Sequence, residues 1–165
     1  MPPLHDGPAT GKEIKVEVGG GEAPMCQDAV QVDLRPVRGV DVVADVKFLP
    51  FRSGIAAQVY SSHMLEHLSY RDGWVFLKEC HRIMKKKARL EVSCPDLTAV
   101  ARIYLVSNLQ HRIGRLDKVA SAFYGSQGHS ADFHLSGYDY AWLSRMLLLT
   151  TLDDFVQLRT QKTLG

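Results

Sequence analysis

Short β-branched runs separated by turn residues dominate the first half of the chain. Ile14–Val18 (IKVEV) is a strand pattern that stops at Gly19-Gly20-Gly21, a glycine turn. Ala29–Val32 is a second run and ends on an acid, Asp33; Asp41–Val46 (DVVADV) is a third, followed by Leu49-Pro50-Phe51; Ile55–Ser61 is a fourth. The period then changes. Trp74, Leu77, Cys80 or His81, and Met84 recur at helical spacing, which predicts a helix from near Asp72, whose carboxylate can cap it, to about Met84. Lys85–Lys87 fall at its carboxyl end, where cations suit the helix dipole. Leu90–Cys94 is the fifth strand, closed by Pro95-Asp96, and Asp96 can cap a helix that turns Val100, Ile103, Val106 and Leu109 toward the core. Ile113, Leu116, Val119 and Phe123 continue the periodicity after a break near Gly114. A loop rich in Gly, Ser and His spans 124–137, before a helix carrying Trp142, Leu143, Met146 and Leu147 and a final strand, Phe155–Thr160. By periodicity Trp74, Trp142 and Met146 belong to the core.

Strands alternating with helices predict an α/β, Rossmann-like, mostly parallel sheet with flanking helices. A full helix does not fit between Gly21 and Ala29, so the first crossover is reduced. In such sheets, ligands bind outside the carboxyl ends of the strands. Here those ends are Gly19–Gly21, Asp33, Asp45 and Ser62-His63.

Composition narrows the setting. The 165 residues fit one domain, and a 45% hydrophobic fraction is enough for a packed core. Residues 1–11 contain Pro and Gly without an apolar centre and read as a disordered leader, neither signal peptide nor anchor; residues 12–165 read as the domain. A formal charge of +2 argues against a nucleic-acid partner, with Lys85–Lys87 the one local cationic cluster. Cys26, Cys80 and Cys94 are odd in number and lack zinc spacing, which points to a reduced, cytoplasmic protein. No apolar run approaches the ~20 residues that span a bilayer.

The strand ends suit a nucleoside. A glycine turn lets backbone approach a ligand closely. An acid ending the second strand can accept from ribose hydroxyls, and an acid after the third can accept from an exocyclic amine such as that of adenine. A dinucleotide is disfavoured, because the GxGxxG fingerprint would need glycine where Pro24 stands, and GGGEAP opens no helix to receive a pyrophosphate.

The segments VEVGGGEAP, VQVDLRP, VDVVADVKFLPF, VYSSHMLEHL, FLKECHRIMKKKARLEVSCPDL, YGSQ and FHLSGY together resemble the class I S-adenosylmethionine-dependent methyltransferases, most closely a small bacterial branch, from Ile14 to about Leu149. The pairing of ADVxxLPF with HxLEH carries most of the specificity. The resemblance implies S-adenosylmethionine as cofactor. Gly19 and Gly21 would lie beside its methionine end, with Gly20 also in the cofactor site, Asp33 on the ribose, Asp45 and the Val46 backbone at the adenine, and Ser62 and His63 near the sulfonium. The family's Lys-Pro-Gly-Gly turn before the fifth strand is replaced by Lys85-Lys86-Lys87-Ala88, and the last hairpin reads as cut short after Gln161.

His63 and His134 are the candidate bases for an acceptor hydroxyl, since an imidazole takes a proton near neutral pH. HxLEH is not the HExxH zinc arrangement, so Glu66 and His67 are expected to hydrogen-bond loops and no metal is expected. His129 and His134 share their loop with Ser130 and Asp132. The expected activity is methyl transfer to an acceptor the sequence does not identify. The rival is a non-catalytic cofactor- or partner-binding module of the same fold.

Overall fold

The computed structural model describes residues 13–106 and 118–150. Five parallel strands form one sheet in the order β3-β2-β1-β4-β5: β1 Ile14–Val18, β2 Val30–Asp33, β3 Val42–Val43, β4 Ala56–Ser62 and β5 Met84–Ser93. A 3₁₀ turn, Leu65–His67, follows β4 and leads into α1, Tyr70–Ile83. After β5 come α2, Leu97–Val106, the helical residues 118–124 (α3), and α4, Tyr140–Thr150. This is the Rossmann-like sheet the pattern predicted, including the reduced crossover, for residues 19–29 carry turns and bends and no helix.

Glu17 explains how so short a crossover holds. It is buried in β1, and its two carboxylate oxygens accept the backbone N–H groups of Met25 (2.8 Å) and Cys26 (2.7 Å). Bonds to a charged acceptor are worth ~1.5–3 kcal/mol each, so this acid does much of the tethering that a packed helix would otherwise supply.

Both faces of a parallel sheet are usually apolar, but these strands alternate. Val16, Val18, Val32, Val59, Leu90 and Val92 enter one core with Phe76, Leu77, Cys80 and Ile83 of α1 and Leu143, Met146 and Leu147 of α4. On the other face, pairing sets Lys15, Gln58 and Arg89 in one row and Glu17, Tyr60 and Glu91 in the next. Gln58 Nε2 donates to Glu91 Oε1 (3.0 Å), and Arg89 pairs with the same oxygen (2.8 Å).

Several boundaries differ from expectation. The third strand is only Val42–Val43, because Asp45 and Lys47 form a turn: the Lys47 N–H bonds Asp45 Oδ1 at 2.9 Å and the Phe48 N–H bonds the Asp45 carbonyl at 2.9 Å. α1 is capped by Ser69, whose hydroxyl accepts the Asp72 N–H at 3.1 Å, so Asp72 sits in the first turn rather than at the cap. Its buried stripe is Gly73, Phe76, Leu77, Cys80 and Ile83; Trp74 is half-buried and His81 exposed. The helix ends at Ile83, and Lys85–Lys87 lie in β5 instead of at its carboxyl end. There the register jumps from Ala56↔Met84 to Gln58↔Arg89 and Lys87 takes φ 63°, so the three lysines bulge into solvent while Met84 and Ala88 stay buried. Asp96 does cap α2, accepting from Thr98 N (2.9 Å) and Ala99 N (3.2 Å). Val100 is buried as expected, but Val106 is 82% exposed. Trp142, expected in the core, is 55% exposed and lies against the Tyr70 ring (centroids 5.6 Å). The leader, the positions Leu109, Ile113 and Leu116, the strand Phe155–Thr160 and the shortened hairpin lie outside the described residues.

Candidate functional site

A cavity of about 710 Å³ opens at the carboxyl ends of β1, β2, β3 and β4. Gly19, Gly20 and Gly21 form one wall, Asp33 and Arg35 a second, Asp45, Val46 and Lys47 a third, and Ser62, His63, Met64 and His67 the fourth; residues 129–132 of the late loop also line it.

The glycines are demanded by the backbone and by crowding. Gly19 has φ +77°, and a Cβ there would clash with the Met64 side chain. Gly21 has φ +56°. At Gly20 a Cβ would crowd the Glu17 and Gln31 side chains at 3.0 and 3.2 Å. Asp33 is buried at the end of β2; its Oδ2 accepts the Gly21 N–H (3.1 Å) and its Oδ1 accepts the Arg35 N–H (2.9 Å). A carboxylate has about four lone-pair sites, so Asp33 shapes the glycine turn and retains acceptor capacity toward the cavity. Asp45 is half-buried, turned by its own Asx bond to Lys47, with Lys47 Nζ 3.5 Å from Oδ2.

His63 follows β4 at φ 51°, a left-handed conformation that costs a non-glycine residue energy and recurs at functional sites. Its N–H bonds the Ser93 carbonyl (2.9 Å), and its Nδ1 lies 3.2 Å from Glu66 Oε1. Ser62 and Ser93 share a hydroxyl hydrogen bond (2.8 Å) that joins the ends of β4 and β5.

His134 does not line this cavity. It opens into a neighbouring one of about 520 Å³, built by Glu66, Pro95, Val100, Ser121 and Ala122 and sharing His63, His67 and Asp132 with the first. Burial pushes the His134 imidazole below the ordinary histidine range. The loop between is tightly organised. The Glu66 carbonyl accepts the N–H groups of Leu135 (2.9 Å) and Ser136 (3.1 Å), the His67 Nδ1 lies 3.2 Å from the Phe133 carbonyl, and Asp132 accepts from Ser126 and Gly128. The hydroxyl of Ser126 is the main cause holding the Asp132 carboxyl below its usual range.

Sequence reasoning did not single out Glu17, Arg35 or Lys47. An acid inside a β-branched run and a cation two residues after a strand-ending acid were the available signals.

Residues 16–92 match the family model described as a methyltransferase domain, a stretch a little under half of the chain. The five-stranded parallel sheet with flanking helices is similar in fold to solved SAM-dependent methyltransferases. It is similar to a SAM-dependent methyltransferase of Thermotoga maritima, described as a possible histamine N-methyltransferase, at TM-score 0.56 and 18% identity over 86% of this chain and 65% of that one. It is likewise similar to a SAM-dependent methyltransferase of Archaeoglobus fulgidus, at TM-score 0.56 and 16% identity over 85% of this chain and 61% of that one. At such identities the likeness is one of fold, and this chain spans under two thirds of either protein's length. No curated protein matches the chain. Among the described residues no helix is long and apolar enough to cross a membrane.

Proposed function

We propose that the chain binds S-adenosylmethionine in the 710 Å³ cavity and transfers its methyl group to an acceptor entering through the neighbouring cavity. The observation that carries this reading is the convergence of Gly19–Gly21, Asp33, Asp45 with Val46, and Ser62 with His63 on one space. Its volume lies in the ~300–1,000 Å³ range of small-molecule sites. The donor set fits the cofactor: glycines that admit close approach, a buried acid for ribose hydroxyls and an acid with backbone at an adenine edge.

When bound, the cofactor supplies a methyl carbon on a sulfonium; the acceptor lone pair forms the new bond as the C–S pair leaves on sulfur. The protein then mainly aligns the reactants and excludes water. His63 lines both cavities, so it is the side chain placed to take a proton from an acceptor hydroxyl. His134 reaches only the acceptor side. Three cysteines, odd in number and without zinc spacing, are the support for a reducing, cytoplasmic setting.

A second reading, a non-catalytic cofactor- or partner-binding module, is favoured by the crossover over 19–29, which has turns in place of a helix. Calorimetry with S-adenosylmethionine, followed by transfer of a labelled methyl group to fractionated acceptors, separates the two. Binding with turnover supports the enzyme, binding without turnover the module, and absence of binding overturns both.

A further inference from the structure

Glu66, His67 and His134 each bring one ligand-capable atom to within 4.8 Å of the other two. They come from distant parts of the chain, Glu66 and His67 from the turn after β4 and His134 from the late loop. The carboxylate is 1% exposed; its Oε1 lies 3.2 Å from His63 Nδ1, and its Oε2 is buried with no hydrogen-bond partner. A buried carboxylate oxygen left in that state is costly, and a cation relieves it.

The two imidazoles are set as ligands. His67 Nδ1 lies 3.2 Å from the Phe133 carbonyl and His134 Nδ1 lies 3.2 Å from the Ala122 carbonyl. A carbonyl can only accept, so each Nδ1 donates and Nε2 is the ring atom left to bind a cation. Anchoring the far ring nitrogen on a carbonyl is the outer-shell pattern that orients metal-binding histidines, and His63 gives the Glu66 carboxylate a similar anchor.

We infer that Glu66, His67 and His134 form a three-ligand site for a divalent transition cation of the zinc type, opening onto the cavity they line together. Two imidazoles and one carboxylate suit zinc and its first-row neighbours better than magnesium or calcium, which prefer oxygen. Bonds of ~2.0–2.2 Å set ligand atoms about 3–4 Å apart, so side-chain shifts of about an ångström close the cluster on an ion. Three protein ligands leave a position open. An acceptor hydroxyl bound there would give up its proton to His63, which lines the same cavity, and present an oxygen nucleophile to the methyl carbon. That use rests on the proposed function; metal binding does not.

The test uses the full chain, tag-free and stripped with a chelator, titrated with Zn²⁺ against a chromophoric competitor. One Zn²⁺ per chain is expected, with Co²⁺ giving the visible bands of a low-coordinate site. Glu66→Gln and His134→Ala should each weaken Zn²⁺ by at least ~10-fold, and millimolar Mg²⁺ should not displace it. S-adenosylmethionine titration and circular dichroism on the same samples verify that the variants fold. Absence of stoichiometric Zn²⁺ binding by the parent, retention of parental affinity in both folded variants, or displacement by Mg²⁺ would overturn the site. Zn²⁺ bound without S-adenosylmethionine would instead overturn the methyltransferase reading alone.

Discussion

Arg35 and His129 meet across the cavity mouth, with Arg35 Nη1 2.8 Å from His129 Nε2 although 94 residues separate them. A guanidinium only donates, so His129 accepts through an unprotonated Nε2. The same guanidinium lies 3.4 Å from Asp33 Oδ1 through Nε. One side chain therefore links the acid that ends β2 to the loop that lines the cavity's outer side.

Replacing Arg35 with Ala should free that loop without unfolding the domain. Exposed ionic contacts contribute ~0–1 kcal/mol, so the melting temperature should fall by no more than about 4 °C. Hydrogen exchange in peptides covering residues 126–135 should quicken several-fold. Unaltered exchange would assign loop closure to the remaining bonds, those of Asp132, His67 and the Glu66 carbonyl among them.

Asp33→Ala should weaken S-adenosylmethionine at least tenfold, because lost bonds to a charged acceptor cost ~1.5–3 kcal/mol. The variant also loses the acceptor of the Gly21 N–H, so the glycine turn loosens with it. Calorimetric titration of both proteins is the measurement. Equal affinities would take Asp33 out of the binding site.

Gly19→Ala and Gly39→Ala separate strain from crowding. Both glycines have positive φ, +77° and +88°, and share a penalty of ~1–2 kcal/mol for a left-handed side chain. Only Gly19 has a neighbour in the way, Met64, whose Cβ would stand 2.6 Å from the added atom; Gly39 faces open space. Overpacking adds ~1–3 kcal/mol, so Gly19→Ala should melt lower than Gly39→Ala by several degrees. Equal melting temperatures in thermal denaturation would show that the turn yields freely.

Glu79 ties stability to acid pH. Its hydrogen bonds with Arg82, at 2.7 Å to each oxygen, hold its carboxyl below the usual 4.5, helped by the Leu49 N–H at 3.0 Å. Arg82 also donates to the carbonyls of Leu49 and Phe51, so the pair pins the segment before β4 onto α1. A depressed folded-state pKa gives stability that is present above the unfolded value and lost as pH falls through the folded one. Glu79→Gln should therefore melt below the parent near neutral pH, with the two curves converging below about pH 4. A constant gap across that range would mean the bonds matter by shape and not by charge.

How much was legible can be judged residue by residue. Strand runs, the order of elements, the helix-less crossover and the cavity-lining glycines and acids follow from local pattern. Backbone preference and the residue that closes a strand are properties of neighbours in sequence. Boundaries that depend on competition were misplaced: Ser69 outdoes Asp72 as cap, the Asx turn at Asp45 cuts β3 short, and Met84 enters the core from a strand, leaving Lys85–Lys87 in a bulge. Trp142 repeats at helical spacing with buried residues, but tertiary packing leaves it 55% exposed beside the Tyr70 ring of α1. Above all, the sequence determined which side chains could do chemistry, and only the tertiary structure decided which of them meet. Glu66, His67 and His134 are brought together because Leu135 and Ser136 bond the Glu66 carbonyl. Arg35 reaches His129 because the late loop folds back over the ends of the strands. Such meetings are set by the summed packing and hydrogen bonding of segments far apart along the chain, which no local period encodes.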